Sequence, residues 1–170
     1  MRIRPDGSFL LSGLPPGTYF LQFHEGPWPP PRDATPLVSG AKVVVDRHDL
    51  AGVRVVPIHM VRATGRVIVD PATRSSLLPS GISVAGNPMN WDGNPGPQRS
   101  GRVKDDLTFE FATWPGPGYV RLLFDAPGWK VKAIRYKGVD VTDAGIDFKE
   151  GQEVSGIEVE LAKAEGRGEA

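Results

Sequence analysis

Apolar and polar residues alternate through most of this chain with a period of two, which predicts β-strands. The clearest alternation flanks a turn rich in Pro and Gly: Phe9 and Leu11 share one face before it, and Tyr19, Leu21 and Phe23 share one face after it. No stretch keeps an apolar period of 3.6 residues, so no helix longer than a single turn is expected. The pattern predicts an all-β protein.

The same arrangement returns about a hundred residues later in the chain. DGSFLLSGLPPGTYFLQF covers residues 6–23, and DLTFEFATWPGPGYVRLLF covers residues 106–124. A second match aligns LAGVRV at 50–55 with VSGIEV at 154–159. A repeat at this distance predicts two structural units.

Each copy of the repeat is predicted to form a hairpin whose strands pair across the Pro/Gly turn. In the first copy Pro16 suits the second position of a type II turn, and Gly17 is then expected at positive φ. The second copy has WPGPG in place of LPPG, which lengthens its turn by one residue. The core predicted for the second unit comprises Val67, Val69, Ile82, Val84, Phe109, Phe111, Val120, Leu122, Phe124, Ile157 and Val159.

The two predicted units are unequal. The second, residues 58–163, has seven short strands separated by turn signals, the pattern of an immunoglobulin-like sandwich. The first, residues 1–57, has only Met1 to Pro5 ahead of its repeated segment, so we expect its opening strands to be missing. Upstream sequence, the second unit or a strand of a neighbouring chain would then cover its apolar face. Residues 164–170 are expected to form a disordered tail.

Composition narrows the classes of partner. Twenty Lys and Arg balance 20 Asp and Glu, and there is no cysteine. Nucleic acid is therefore not expected as a partner, and disulfides and cysteine-based zinc or redox centres are excluded. No apolar run reaches the roughly 18 residues of a transmembrane helix, so no membrane insertion is expected. Met1-Arg-Ile-Arg lacks the apolar stretch of a signal peptide, and we expect the sequence to begin inside a domain.

Three segments carry a family resemblance: GLPPGTY at 13–19, GRVIVDPATRSSLLPSGISV at 65–84 and KGVDVTDAGIDFKEGQEVSGIEVEL at 137–161. They resemble the carboxypeptidase regulatory-like domains, a transthyretin-like branch of the Ig-like β-sandwiches. The resemblance implies tandem sandwich units, the N-terminal one lacking its first strands. It also implies a structural role, as a scaffold or adhesion module of a larger exported bacterial protein in the periplasm, at the cell surface or outside the cell. Strand complementation between such chains would build polymers or filaments.

Catalytic and metal chemistry are not expected from the residue types present. The histidines are scattered and form no set of nucleophile, base and orienting group; they are His24, His48 and His59. Asp140, Asp143 and Asp147 lie close together in sequence, but Asp at a turn ordinarily bonds to its own backbone without a metal. We therefore expect no enzyme activity, no cofactor and no metal.

Trp28 and Trp91 lie in loops rich in Pro, Gly and Asn, where a large apolar ring has no evident core to join. Such a ring can stack on a sugar or anchor a protein partner, and Asn90 and Asp92 add polar groups beside Trp91. These four residues are the candidate ligand or partner contacts, unless each Trp folds back over its own unit. A scaffold would bind neighbouring domains or copies of itself, and the alternative is a carbohydrate-binding module that takes glycans.

Overall fold

The computed structural model describes residues 2–26, 37–90, 99–125 and 128–164. Their regular structure is almost entirely β, and the only helical segments among them are two 3₁₀ turns, Arg74–Ser76 and Pro79–Gly81. The all-β prediction is confirmed. The chain divides into two compact units, Met1–Pro57 and Ile58–Ala170.

The strands numbered first in the chain form two small sheets. Their bounds are β1 Arg2–Ile3, β2 Phe9–Leu10, β3 Gly17–Glu25, β4 Leu37–Val45 and β5 Val56–Ile58. β1 pairs with β2, and the second sheet has the order β3-β4-β5. β3 pairs with β4 along its whole length of 9 residues. Residues 50–55, which the repeat matches to 154–159, form no strand.

The described residues of the second unit form nine strands in two sheets. Their bounds are β6 Val61–Val69, β7 Ile82–Pro88, β8 Gly101–Arg102, β9 Thr108–Thr113, β10 Gly116–Phe124, β11 Trp129–Tyr136, β12 Val139–Asp140, β13 Ile146–Phe148 and β14 Val154–Lys163. The sheet orders are β12-β11-β14-β6-β9 and β13-β10-β7-β8. β6 and β14 run parallel, and the other pairs in these two sheets are antiparallel.

Side chains from both sheets of the second unit meet in one core. Of the eleven residues predicted there, eight are buried, and Val69, Leu122 and Phe124 are half-buried against them. Phe148 and Ile157 have no accessible surface. The predicted inward face of these strands is confirmed because burial follows the period-two alternation.

The hairpins predicted across the Pro/Gly turns are wrong. β9 pairs with β6, whereas β10 pairs with β7 and β13, so the chain crosses from one sheet to the other between Thr113 and Gly116. In the first unit β2 pairs with β1, and β3 pairs with β4. Prolines at the crossing supply no N–H for a ladder. Alternation looks the same whether two strands share a sheet or face each other across a core, so it did not reveal the crossing.

In the first unit, the segment that crosses from β2 to β3 has its residue of positive φ at Gly13, at 76°, and not at Gly17. Gly17 begins β3 opposite Val45, and the Tyr19 hydroxyl donates a hydrogen bond of 2.8 Å to the Pro15 carbonyl. The predicted type II turn is wrong because Gly17, which that turn would place at positive φ, already belongs to β3.

Gly13→Ala is expected to lower the free energy of unfolding of the first unit by about 1 kcal/mol, because an L side chain disfavours positive φ. Gly17→Ala is the matched control: its Cβ would lie 3.6 Å from the nearest Tyr19 ring atom, an ordinary contact. Urea titration of both variants measures the difference. A larger loss at Gly17 than at Gly13 would contradict the crossing geometry.

The loops that precede β2 and β9 have the same local structure. Asp6 and Asp106 each accept hydrogen bonds from the N–H and the hydroxyl of the residue two positions later, at 2.6–2.9 Å. These bonds lower the pKa of both carboxyl groups. Each loop also has its next residue at positive φ, Gly7 at 82° and Leu107 at 67°. The sequence repeat is therefore also a repeat of local conformation at this loop.

Candidate functional site

The structure describes one of the four predicted contact residues. Asn90 is exposed directly after the end of β7. Trp28, Trp91 and Asp92 lie outside the described residues. Ligand or partner contact at these four positions stays a prediction.

An apolar groove of about 750 Å³ opens in the first unit. One wall is β2 with the residues after it, and the other is the segment from His48 to Val53. Apolar side chains dominate the lining: Phe9, Leu10, Leu11, Leu14, Leu21, Val43, Val45, Leu50 and Val53. The Phe9 ring lies 5.3 Å from the Phe23 ring, centroid to centroid. An apolar groove of this size bordered by a short strand has the shape and chemistry to receive an extended peptide.

Sequence reasoning predicted the face of Tyr19, Leu21 and Phe23 but missed the wall formed by residues 48–53. The match of LAGVRV at 50–55 with VSGIEV at 154–159 was the signal that could have found it. Gly52 and Gly156 occupy the same place in this match, and both have positive φ, 73° and 81°. Residues 50–55 therefore have a glycine at positive φ, as β14 does, but they form no strand.

Residues matched by the repeat are buried in the second unit and accessible in the first. In the second unit the buried set is Val103, Phe109, Phe111, Val154 and Ile157, each at most 4% exposed. Their counterparts in the first unit are Ile3, Phe9, Leu11, Leu50 and Val53. Ile3 and Leu50 are 51% and 52% exposed, and the other three are half-buried. In the second unit this set is buried between the two sheets, and β6 lies between β9 and β14 and pairs with both; the described part of the first unit has no counterpart of β6 or β7.

The outer face of the five-stranded sheet is neutralised by ion pairs. Arg62 donates two hydrogen bonds to Glu110, from Nε to Oε1 at 2.8 Å and from Nη2 to Oε2 at 2.7 Å. It donates a third, from Nη1, to Glu153 at 3.1 Å. The hydrogen bonds from Arg62 lower the pKa of Glu110. The remaining pairs are Arg66–Glu158, Lys132–Glu160 and Arg135–Glu160, at 2.6–3.0 Å. Exposed pairs of this kind add little stability.

The three histidines lie apart in the structure. His59 donates its backbone N–H to Glu150 Oε1 at 3.0 Å, its ring Nδ1 lies 2.8 Å from the same oxygen, and these bonds lower the pKa of Glu150. His48 Nδ1 lies 3.3 Å from Asp46 on the surface, and His24 lies on β3. The described residues bring no three His, Cys, Asp or Glu side chains together as a metal site. Asp140 bonds to the Thr142 N–H and hydroxyl, as expected for Asp at a turn.

Comparisons with family models and with curated proteins give no match. Across the described ranges, no helix has the length and apolar character that spanning a membrane requires. The apolar groove of the first unit is thus the feature from which a function can be inferred.

Proposed function

We propose that this chain is a non-catalytic scaffold or adhesion module of a larger exported bacterial protein. In this proposal it consists of two tandem units of the transthyretin-like, Ig-like sandwich kind, and the first lacks its opening strands. The resemblance of residues 13–19, 65–84 and 137–161 to the carboxypeptidase regulatory-like domains supports the family and the extracellular or periplasmic location. The matched Asp loops and the matched glycines Gly52 and Gly156 support the tandem arrangement.

The observation that carries the proposal is the apolar groove. Its lining includes Phe9, Leu50 and Val53, whose counterparts in the second unit are buried on β9 and β14, the two strands that pair with β6. Each large apolar side chain that becomes fully buried contributes about 1.5–3 kcal/mol, so covering the groove is favourable. We infer that another polypeptide segment adds the missing strand by β-augmentation. A copy of this chain or a neighbouring domain would supply that segment, and repetition between copies would build a polymer.

A peptide tests this assignment directly. VRATGRVIV, the sequence of Val61–Val69, forms the strand between β9 and β14 in the second unit. As a free peptide it is expected to bind the full chain and protect the amides of residues 49–53 from hydrogen exchange. Val53→Glu should weaken binding by about tenfold or more, because it introduces a charge into the apolar groove. Val139→Glu is the matched control, since Val139 is a 63% exposed valine of the second unit.

Light scattering over a range of protein concentrations completes the test. The full chain is expected to self-associate, and the Val53→Glu variant should associate less. A chain that stays monomeric and does not bind the peptide would contradict the proposal. A change of Trp fluorescence on glycan addition, without peptide binding, would instead favour the carbohydrate-binding alternative.

A further inference from the structure

The second unit has an open side between its two sheets. β10 pairs with β13 only over Gly116–Gly118, so within the described residues 119–124 pair only with β7. β11 pairs with β12 only at Arg135 and Tyr136. Within the described residues, the edge of 129–133 that faces away from β14 is therefore also unpaired. On the opposite side the sheets are joined, because Arg99 exchanges backbone bonds with Ala112 while β8 pairs with β7. We call the two free edges, 119–124 and 129–133, the open seam.

The core is incompletely covered along the open seam. Four apolar side chains from its two strands are half-buried against the core: Leu122, Phe124, Trp129 and Val131. Two other residues of the open seam, Val120 and Ala133, are buried. A strand added at the seam would place its own inward side chains against Leu122 and Phe124.

In the first unit, the strand that corresponds to β10 pairs with its neighbour along its whole length. β3 is matched to β10 by the repeat, and it pairs with the 9-residue β4 from end to end. In the second unit the corresponding neighbour, β13, has 3 residues. Alternate residues of a strand direct their backbone N–H and C=O groups to opposite edges, so about half of residues 119–124 keep donors and acceptors that can pair with another chain.

The charges beside the open seam favour an acidic partner. Arg121 is exposed on β10 with its guanidinium 4.4 Å from the centroid of the Tyr119 ring, and Lys130 is exposed on β11. Neither forms an ion pair within the described residues. Lys132 is neutralised by Glu160, and Asp125 lies at the end of β10. A carboxylate of a strand added to β10 would complement Arg121 on the outer face of that sheet.

β14 shows the residue pattern that suits a neighbour of β11. It alternates the buried Ile157, Val159 and Leu161 with Glu158 and Glu160, and it pairs with the other edge of β11. Glu160 contacts Lys132 at 2.6 Å and Arg135 at 3.0 Å. Apolar residues alternating with Glu thus satisfy both the core and the basic side chains of β11.

We propose that the open seam binds an extended segment of a partner protein in which apolar residues alternate with Asp or Glu. The segment adds as a strand to residues 119–124 of β10, with its apolar side chains against Leu122 and Phe124 and a carboxylate beside Arg121. This site lies in the second unit, so it goes beyond the proposed function and does not depend on strand addition to the first unit.

Two synthetic peptides test the site on the full chain. VSGIEVELA has the sequence of residues 154–162, and in VSGIKVKLA both Glu are replaced by Lys. The acidic peptide is expected to bind at least about tenfold more tightly than the basic one and to slow hydrogen exchange of the amides at 119–124. Arg121→Glu should weaken the acidic peptide by about tenfold. Arg54→Glu, an exposed charge reversal in the first unit, should leave its affinity unchanged.

The outcomes separate this site from the groove. Val53→Glu, which disables the groove, is expected to leave the acidic peptide bound. Arg121 is exposed, so Arg121→Glu should keep the melting temperature, and Arg121→Gln should give a smaller loss of affinity in the same direction. Equal affinity for both peptides, protection confined to residues 49–53, or no protection at 119–124 would each overturn the proposal.

Discussion

Replacing Phe148 by alanine is expected to lower the free energy of unfolding of the second unit by about 3–5 kcal/mol. Phe148 lies on β13 with none of its surface exposed, and its ring meets Phe111 edge-on with centroids 6.3 Å apart. Alanine removes the ring and leaves a cavity between the two sheets. Urea denaturation followed by circular dichroism measures the loss.

Leu123→Ala is the matched control for Phe148. Leu123 is 66% exposed on β10, so removing its side chain should change the free energy of unfolding by no more than about 0.5 kcal/mol. Similar losses for the two variants would mean that the core does not lie on the inner faces of β13 and β10.

Gly65→Ala is expected to cost about 2–3 kcal/mol of unfolding free energy through overpacking. Gly65 lies on β6 between β14 and β9. A Cβ there would run into the Ile157 carbonyl oxygen and lie 2.6 Å from the Phe109 ring. The register of β14 shifts between Val154 and Ile157, and this irregularity leaves the Ile157 backbone too close for any side chain at residue 65.

Gly81→Ala is the control for Gly65, because its Cβ would find its nearest neighbours at 3.9 Å and its φ is not positive. Its effect should stay within about 0.5 kcal/mol. Thermal unfolding of both variants compares them, and a tolerated alanine at Gly65 would show that β6 and β14 are not packed as described.

Local pattern alone identified most strands of the second unit and their inward faces. Val61–Val69 and Trp129–Tyr136 have the bounds that alternation predicts, and Phe109, Phe111 and Val120 are buried as expected. This succeeds because successive side chains of a strand point to opposite faces, a property of the backbone that needs no knowledge of the neighbours. The candidate contacts at Trp28 and Trp91 have no such periodicity, and they fall outside the described residues.

The sequence by itself determined the all-β class, the inward faces and the repeated Asp loops, since each depends on residues a few positions apart. Only the tertiary structure decided which strands pair, and with that the crossing at Gly13, the groove wall at 48–53 and the free edge of β10. Pairing is settled by contacts between distant segments that compete for the same apolar face. One alternating pattern is compatible with several ways of pairing the strands, so the packing of the whole unit decides which pairing forms.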